Sequence, residues 1–202
     1  MKFKILKTDI IISFTLICLF AISIISGIAQ EFILCFLAVI IHESGHIIQM
    51  YKFGYYPEKI EISLFEISIS DNYRHKRGNK QNFLIILFGP VANLICFIFF
   101  FLLYLLGNSF FSVFALANLS VCIFNMLPVM SLDGGQLMYI ILCKRFDDRL
   151  AEKIVDITTF IFLFPLTAIG FIILFNSKYN FSLLFVCVYI VLSLVCRNNR
   201  YY

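Results

Sequence analysis

The 202-residue sequence has no tryptophan, only four prolines and few charges, with Asp, Glu, Lys and Arg making up 14% of it. Soluble domains carry about 25% charged residues and about 45–50% apolar ones. Here the hydrophobic share is 61%, which leaves too few polar side chains to wet the surface of a soluble fold. A soluble enzyme and a nucleic-acid binder are both excluded. The net charge of +4 is therefore to be read by its placement along the chain. Cysteine pairing motifs are missing too. The seven cysteines, at 18, 35, 96, 122, 143, 187 and 196, form no Cys-x-x-Cys and lie in or beside apolar stretches. They read as small hydrophobes of a helix bundle, not as disulfides or thiolate ligands. No internal repeat, low-complexity tract or appended soluble domain is visible.

What the sequence has in plenty is long apolar runs. A membrane helix takes about 20 mostly apolar residues, within about 17–25. Six runs approach or meet that length: Ile10–Ile28, Phe32–Met50, Phe83–Leu106, Phe110–Leu127, Ile157–Phe175 and Phe181–Cys196. In the first, Gly27 and Ala29 stand at a spacing that a signal-peptide cleavage site also has, but the run is longer than the usual signal core. The expected fold is an all-α polytopic membrane protein, a single domain over residues 1–202 with six transmembrane helices. A small β-hairpin or strand element is expected after the second. Of the 16 basic residues, all but Lys178 fall at the two ends or in the connections 51–82 and 128–156. Basic residues collect on the cytoplasmic side, so both termini and both long connections are expected there, in a multi-pass bacterial cell-membrane protein.

Ionisable groups inside apolar runs are costly and mark function. The second run carries His42-Glu43-Ser44-Gly45-His46, an H-E-x-x-H pattern. Residues i and i+4 share a helix face, so both imidazoles can bind one metal ion, and Glu43, one residue round, can reach water there. A catalytic zinc site keeps three protein ligands and an open position. Outside the plainly polar connections, Asp133 is the remaining acid that could serve as the third. It lies in Asn125-Met126-Leu127-Pro128-Val129-Met130-Ser131-Leu132-Asp133-Gly134-Gly135, which by itself reads equally as a cytoplasmic turn. The topology brings three helix-perturbing segments to one leaflet. The histidines lie about 6–12 Å inside the cytoplasmic end of the second span, and Gly89-Pro90-Val91-Ala92-Asn93 about 9–15 Å inside the third. The Asn125–Asp133 segment closes the fourth. Asn93 and Asn125 can equally be plain helix–helix hydrogen bonds.

H-E-x-x-H in one span, Phe88-Gly89-Pro90-Val91-Ala92-Asn93 in the next and Asn125–Gly135 after another resemble the site-2 protease family of intramembrane zinc metalloproteases. The resemblance covers the second run through Gly135. It implies one zinc ion per chain held by His42, His46 and Asp133, with Glu43 activating water and Asn125 positioning the scissile carbonyl. Gly89, Pro90, Asn93, Pro128 and Gly134 would support the site. The short length, the six runs and the wording FNMLPVMSLDGGQL look most like the sporulation members of the family, although the C-terminal CBS domain common there does not follow here. That subgroup implies a membrane-associated sigma-factor precursor as substrate and inhibitory membrane proteins as partners.

A substrate helix hides its peptide bonds in its own hydrogen bonds and must unwind to be cut. The stretch 59–70 alternates apolar and polar residues, breaks phase at Leu64-Phe65, and resumes. Two short strands or one bulged strand are expected. An edge bearing Ile60, Ile62, Leu64, Ile67 and Ile69 would bind extended substrate by strand addition, or it forms a self-contained hairpin. Arg74, His75, Lys76, Arg77 and Lys80 are expected in a cytoplasmic loop facing anionic lipid. Lys144–Ile154 has Phe146, Leu150 and Ile154 at helical spacing and is expected as an amphipathic helix on the membrane or on a partner. Two readings of other classes are a metal-binding membrane transporter and a catalytically silent interaction protein. The ionisable residues cluster at one depth and show no inverted repeat, which disfavours transport, and an intact Glu43 disfavours silence.

Overall fold

The computed structural model describes residues 2–5, 8–62, 67–70, 77–177, 187, 188 and 191. It is mostly helical, and the chain divides into two compact units, Met1–Phe124 and Asn125–Tyr202.

The first unit opens with strands β1 (Lys2–Ile5) and β2 (Thr8–Ile12), then helices α1 (Phe14–Ile25) and α2 (Ala29–Lys52). Strands β3 (Lys59–Ile62) and β4 (Ile67–Ser70) follow, and then helices α3 (Asn79–Leu105) and α4 (Phe111–Asn125), the last of which ends at the boundary between the units. The strands form one sheet in the order β1-β2-β3-β4, with β2 parallel to β3 and the outer pairs antiparallel. Thr8-Asp9-Ile10-Ile11-Ile12 is rich in β-branched residues, which fit a pleated surface better than a helix. Asp9 to Ile12 therefore pair in register with Lys59 to Ile62. This corrects two expectations. The run Ile10–Ile28 is not one helix but a strand end followed by a helix of 12 residues. The expected hairpin β3–β4 is present, but as half of a four-stranded sheet whose other half was not foreseen. Leu64 and His75 lie outside the described residues.

Helix α2 has Glu31 in its first turn and Lys52 in its last, each complementing the end of the helix dipole it sits on. At the start of α3, Gln81 Oε1 accepts from the Gly78 amide at 3.4 Å and from the Tyr55 hydroxyl at 3.1 Å. The core of this unit is Ala38, Phe114 and Ala117 with Leu34, Ile41, Phe100 and Val121 packed on them. The Phe100 and Phe114 rings meet edge to face at 4.7 Å, a favoured aromatic geometry. Away from this core, Ile95, Phe99, Leu102 and Leu106 are exposed, as a lipid-facing surface requires.

The second unit contains α5 (Asp133–Leu142) and α6 (Asp148–Ser177). Two expectations are revised here. The segment after Leu132 is a helix beginning at Asp133, not a turn. The charged stretch ending at Ile154 is no separate amphipathic helix, since residues 148–154 are the first turns of the continuous α6. Among the described residues three helices are long and apolar enough to cross a membrane: Ala29–Lys52, Asn79–Leu105 and Asp148–Ile172. The run Phe181–Cys196 lies largely outside the described residues.

Candidate metal centre

The site begins with how α2 lies against α3. The contacts follow the four-residue repeat of both helices, which run antiparallel here. His46 Nδ1 meets the Ile85 carbonyl at 2.8 Å. One turn on, a Cβ at Gly89 would lie within 3.0 Å of His42 Cε1 and closer still to Cε1 and Nε2 of His46. Another turn on, Asn93 Nδ2 donates to the Ala38 carbonyl at 3.2 Å. Ile85, Gly89 and Asn93 on one helix thus answer His46, His42 and Ala38 on the other. Gly45 lets the backbones close, because a Cβ there would overlap the Phe88 carbonyl and Ala92.

Chemistry follows from that registration. A neutral imidazole has one N–H, and the Ile85 carbonyl can only accept, so in the neutral ring the His46 proton sits on Nδ1 and Nε2 carries the lone pair. This is the usual outer support of a metal-ligating histidine, which fixes tautomer and ring orientation. The two rings stand edge to face with centroids 4.8 Å apart, and their Nε2 atoms approach to 3.2 Å. Two nitrogens each about 2.05 Å from a tetrahedral zinc are about 3.3 Å apart. The pair therefore has the separation that one shared ion requires. His42 is 3% exposed, and Gly89 supplies the space both rings occupy. The donor set and the cradle fit zinc.

Asn93 and Asn118 are both wholly buried. Asn118 donates to the Phe114 carbonyl of its own helix at 2.9 Å, and its own carbonyl receives Asn93 Nδ2 at 3.5 Å. Asn93 thus joins α2, α3 and α4 by hydrogen bonds, the plain helix–helix role. It ties down the Ala38 carbonyl, one turn before His42. Asn118 was not singled out from the sequence. An amide inside an apolar run was the available signal, and such a residue costs little when a carbonyl four residues back accepts from it.

In the second unit Asn125 is the last residue of α4, and Pro128 stands in the connection that follows. Asp133 is the first residue of α5, and the residue before it, Leu132, is extended. A carboxylate at a helix N-terminus is held by the dipole there. The two glycines after it allow a close fold-back: a Cβ on Gly134 would overlap the carbonyls of Met126 and Leu127, and one on Gly135 that of Val129. The polar turn and the first turn of α5 are thus packed backbone on backbone. Of the residues expected to bind substrate, Ile60 and Ile62 lie on β3, paired on both sides, whereas Ile67 and Ile69 lie on the edge strand β4. The expected edge is therefore β4, not β3.

The family model "Peptidase family M50" matches residues 107–169, a segment that contains Asn125 and Asp133 but not the histidines. The curated protein "Stage IV sporulation protein FB" of Bacillus subtilis (strain 168) is 25% identical over 137 residues, 66% of this chain. The chain covers 48% of that relative, about half its length. In fold, the solved "Site-2 Protease from Methanocaldococcus jannaschii" superposes with a TM-score of 0.65 at 23% identity, over 94% of this chain and 91% of the other. The resemblance carried by the motifs is thus met independently: residues 107–169 are similar to Peptidase family M50, the sequence is similar to a sporulation protein, and the fold is similar to that of a solved site-2 protease.

Proposed function

We propose that this protein is an intramembrane zinc metalloendopeptidase that hydrolyses membrane-associated or single-span proteins near the cytoplasmic face. The observation that carries the reading is the histidine pair on α2: two Nε2 atoms at 3.2 Å, one ring oriented by a backbone carbonyl, with Glu43 beside them in an apolar helix. His42, His46 and Asp133 would hold one zinc ion per chain. Bound there, zinc would supply Lewis acidity, which brings the pKa of a bound water down to about 7. Glu43 takes a proton from the attacking water on its carboxylate and returns it to the leaving amine nitrogen. Asn125 positions the scissile carbonyl by hydrogen bonding. Gly89, Asn93 and the Ile85 carbonyl hold the imidazoles in register, and Pro128 and Gly134 shape the approach to Asp133. The apolar helices keep bulk water from the reacting groups, which strengthens every electrostatic interaction among them.

The substrate segment must be extended before it is cut, and β4, an outer strand of the sheet among the described residues, offers a template for it. The likeness to a sporulation protein extends the proposal to a membrane-associated sigma-factor precursor as substrate. Inhibitory membrane proteins and the bilayer would be its partners. Six spans with both termini cytoplasmic complete the reading.

The test is Glu43→Gln in the full chain, with zinc content and cleavage of a panel of single-span substrates measured together. Zinc is expected to be retained and cleavage to fall by at least about a hundredfold, the range of a lost general base. Undiminished cleavage sinks the mechanism. Zinc transport by reconstituted protein, unchanged in the variant, would favour the transporter reading instead.

A further inference from the structure

The connection 126–132 is tethered to α6 through a buried hydroxyl. The Met130 amide donates to Thr159 Oγ1 at 3.0 Å, and that hydroxyl donates to the Val155 carbonyl one turn earlier at 2.8 Å. A hydroxyl has one proton. Spending it on Val155 leaves an oxygen lone pair facing the Met130 amide, so the three groups form a one-way relay. Val129, Val155 and Thr159 are wholly buried and Met130 is 1% exposed, so no bulk water competes for these groups.

What the relay holds is the segment that delivers Asp133. The Leu132 amide closes a turn onto the Val129 carbonyl at 2.8 Å, and the Gln136 amide reaches the Leu132 carbonyl at 3.2 Å as α5 begins. With Gly134 and Gly135 packed on the backbone of residues 126–130, the connection and the first turn of α5 form one body. Thr159 fixes that body to α6 three residues before Asp133. We propose that Thr159 is a positioning residue: it sets metal affinity by fixing where the Asp133 carboxylate stands, without touching the metal. The inference rests on Asp133 being a ligand, as proposed above.

Valine has the shape of threonine but offers no acceptor, whereas serine keeps the hydroxyl and drops the methyl. Positioning and packing therefore predict opposite orders. The experiment is a zinc titration of the full chain in detergent against a competing chelator, with thermal unfolding of the metal-free protein alongside. Thr159→Val is expected to weaken zinc binding about tenfold or more, and Thr159→Ser to stay within about threefold of the parent, as for support behind a metal ligand. Parental affinity in Thr159→Val, or equal weakening in Thr159→Ser, overturns the proposal. Should Thr159→Val fail to fold, Thr159→Cys replaces it, since sulfur accepts weakly; weakened binding there supports the proposal and parental affinity overturns it. Asp133→Asn separates the two levels. Weakened binding in Asp133→Asn beside parental affinity in Thr159→Val removes this inference alone. Parental affinity in Asp133→Asn removes the ligand assignment, and the inference with it.

Discussion

Gly89 is the residue on which the two imidazoles lean, and the space it leaves is as much a part of the site as the rings. A methyl group there overlaps both histidines, and neither can yield without giving up the shared point between the Nε2 atoms. Gly89→Ala is expected to weaken zinc binding by at least about tenfold and to cost about 1–3 kcal/mol of stability through overpacking. Chelator competition and thermal unfolding would show both, and parental values in both would mean that the rings adapt. On α5 and just after it, Tyr139 and Cys143 lie four residues apart. Burial pushes the Cys143 thiol above its ordinary value, Asp148 pushes the same way, and the Tyr139 hydroxyl partly opposes them. A raised thiol pKa means less thiolate at pH 8, so a chain with Cys143 as its sole cysteine is expected to alkylate more slowly than a free thiol. Its rate should climb only at higher pH, and a free-thiol rate at pH 8 would refute this. The same sign means that any stability from the neutral thiol is fully present below the ordinary thiol pKa and is lost as pH rises from there through the raised value of the folded protein. Single residues were legible in the sequence where a charge stood among apolar neighbours, as for His42, Glu43 and His46. Asn118 and Thr159 were not, because each satisfies its own donor on a carbonyl four residues back and looks like ordinary helix polarity.

At the scale of elements, the long helices were legible and the short pieces were not. Helices α2 and α3 follow their apolar runs closely, because about 20 apolar residues leave the backbone little choice in a membrane. The strand β2 was hidden inside an apolar run because Ile10, Ile11 and Ile12 suit a membrane helix and a sheet equally. Its partner, residues 59–62, lies too far along the chain for any local pattern to announce. Helix α5 was hidden by Gly134-Gly135, which reads as a turn until Met126, Leu127 and Val129 are seen filling the space. The sheet nevertheless sharpens the substrate proposal. With β3 paired on both sides, strand addition on the 59–70 element is left to the outer side of β4. Proline removes a backbone donor. Of the alternating sets Ile67 with Ile69 and Ser68 with Ser70, one turns its amides to β3 and the other to the open edge. Prolines in the outward set should leave folding intact and lower cleavage by about tenfold, the scale of one or two lost main-chain hydrogen bonds. Full cleavage by such a folded variant would reject strand addition.

At the scale of the whole molecule, length and charge are the grounds for the proposed topology. Helix α3, with 27 residues, reaches about 40 Å at 1.5 Å per residue and exceeds a hydrocarbon core of about 30 Å. Helices α1 and α4, with 12 and 15 residues, reach only about 18 and 22 Å. They cross only if flanking residues make up the depth or the bilayer thins around them. In the proposed six-span reading, charge placement gives the direction of each crossing: Lys178 is the one basic residue that reading assigns to the outer side. That assignment puts Ser109 and Lys178 outside, and Asn79 and Asp147 in the cytoplasm. In a cysteine-free chain, single cysteines at the first two positions should react with a membrane-impermeant maleimide in intact cells. Those at the other two should react only after permeabilisation. Labelling at Ser109 but not at Lys178 would remove the last pair of spans as drawn. Labelling at Asn79 instead of Ser109 would invert the molecule and place the H-E-x-x-H end of α2 at the outer face. In that case a cytoplasmic substrate domain could not present its cut segment to His42 and His46.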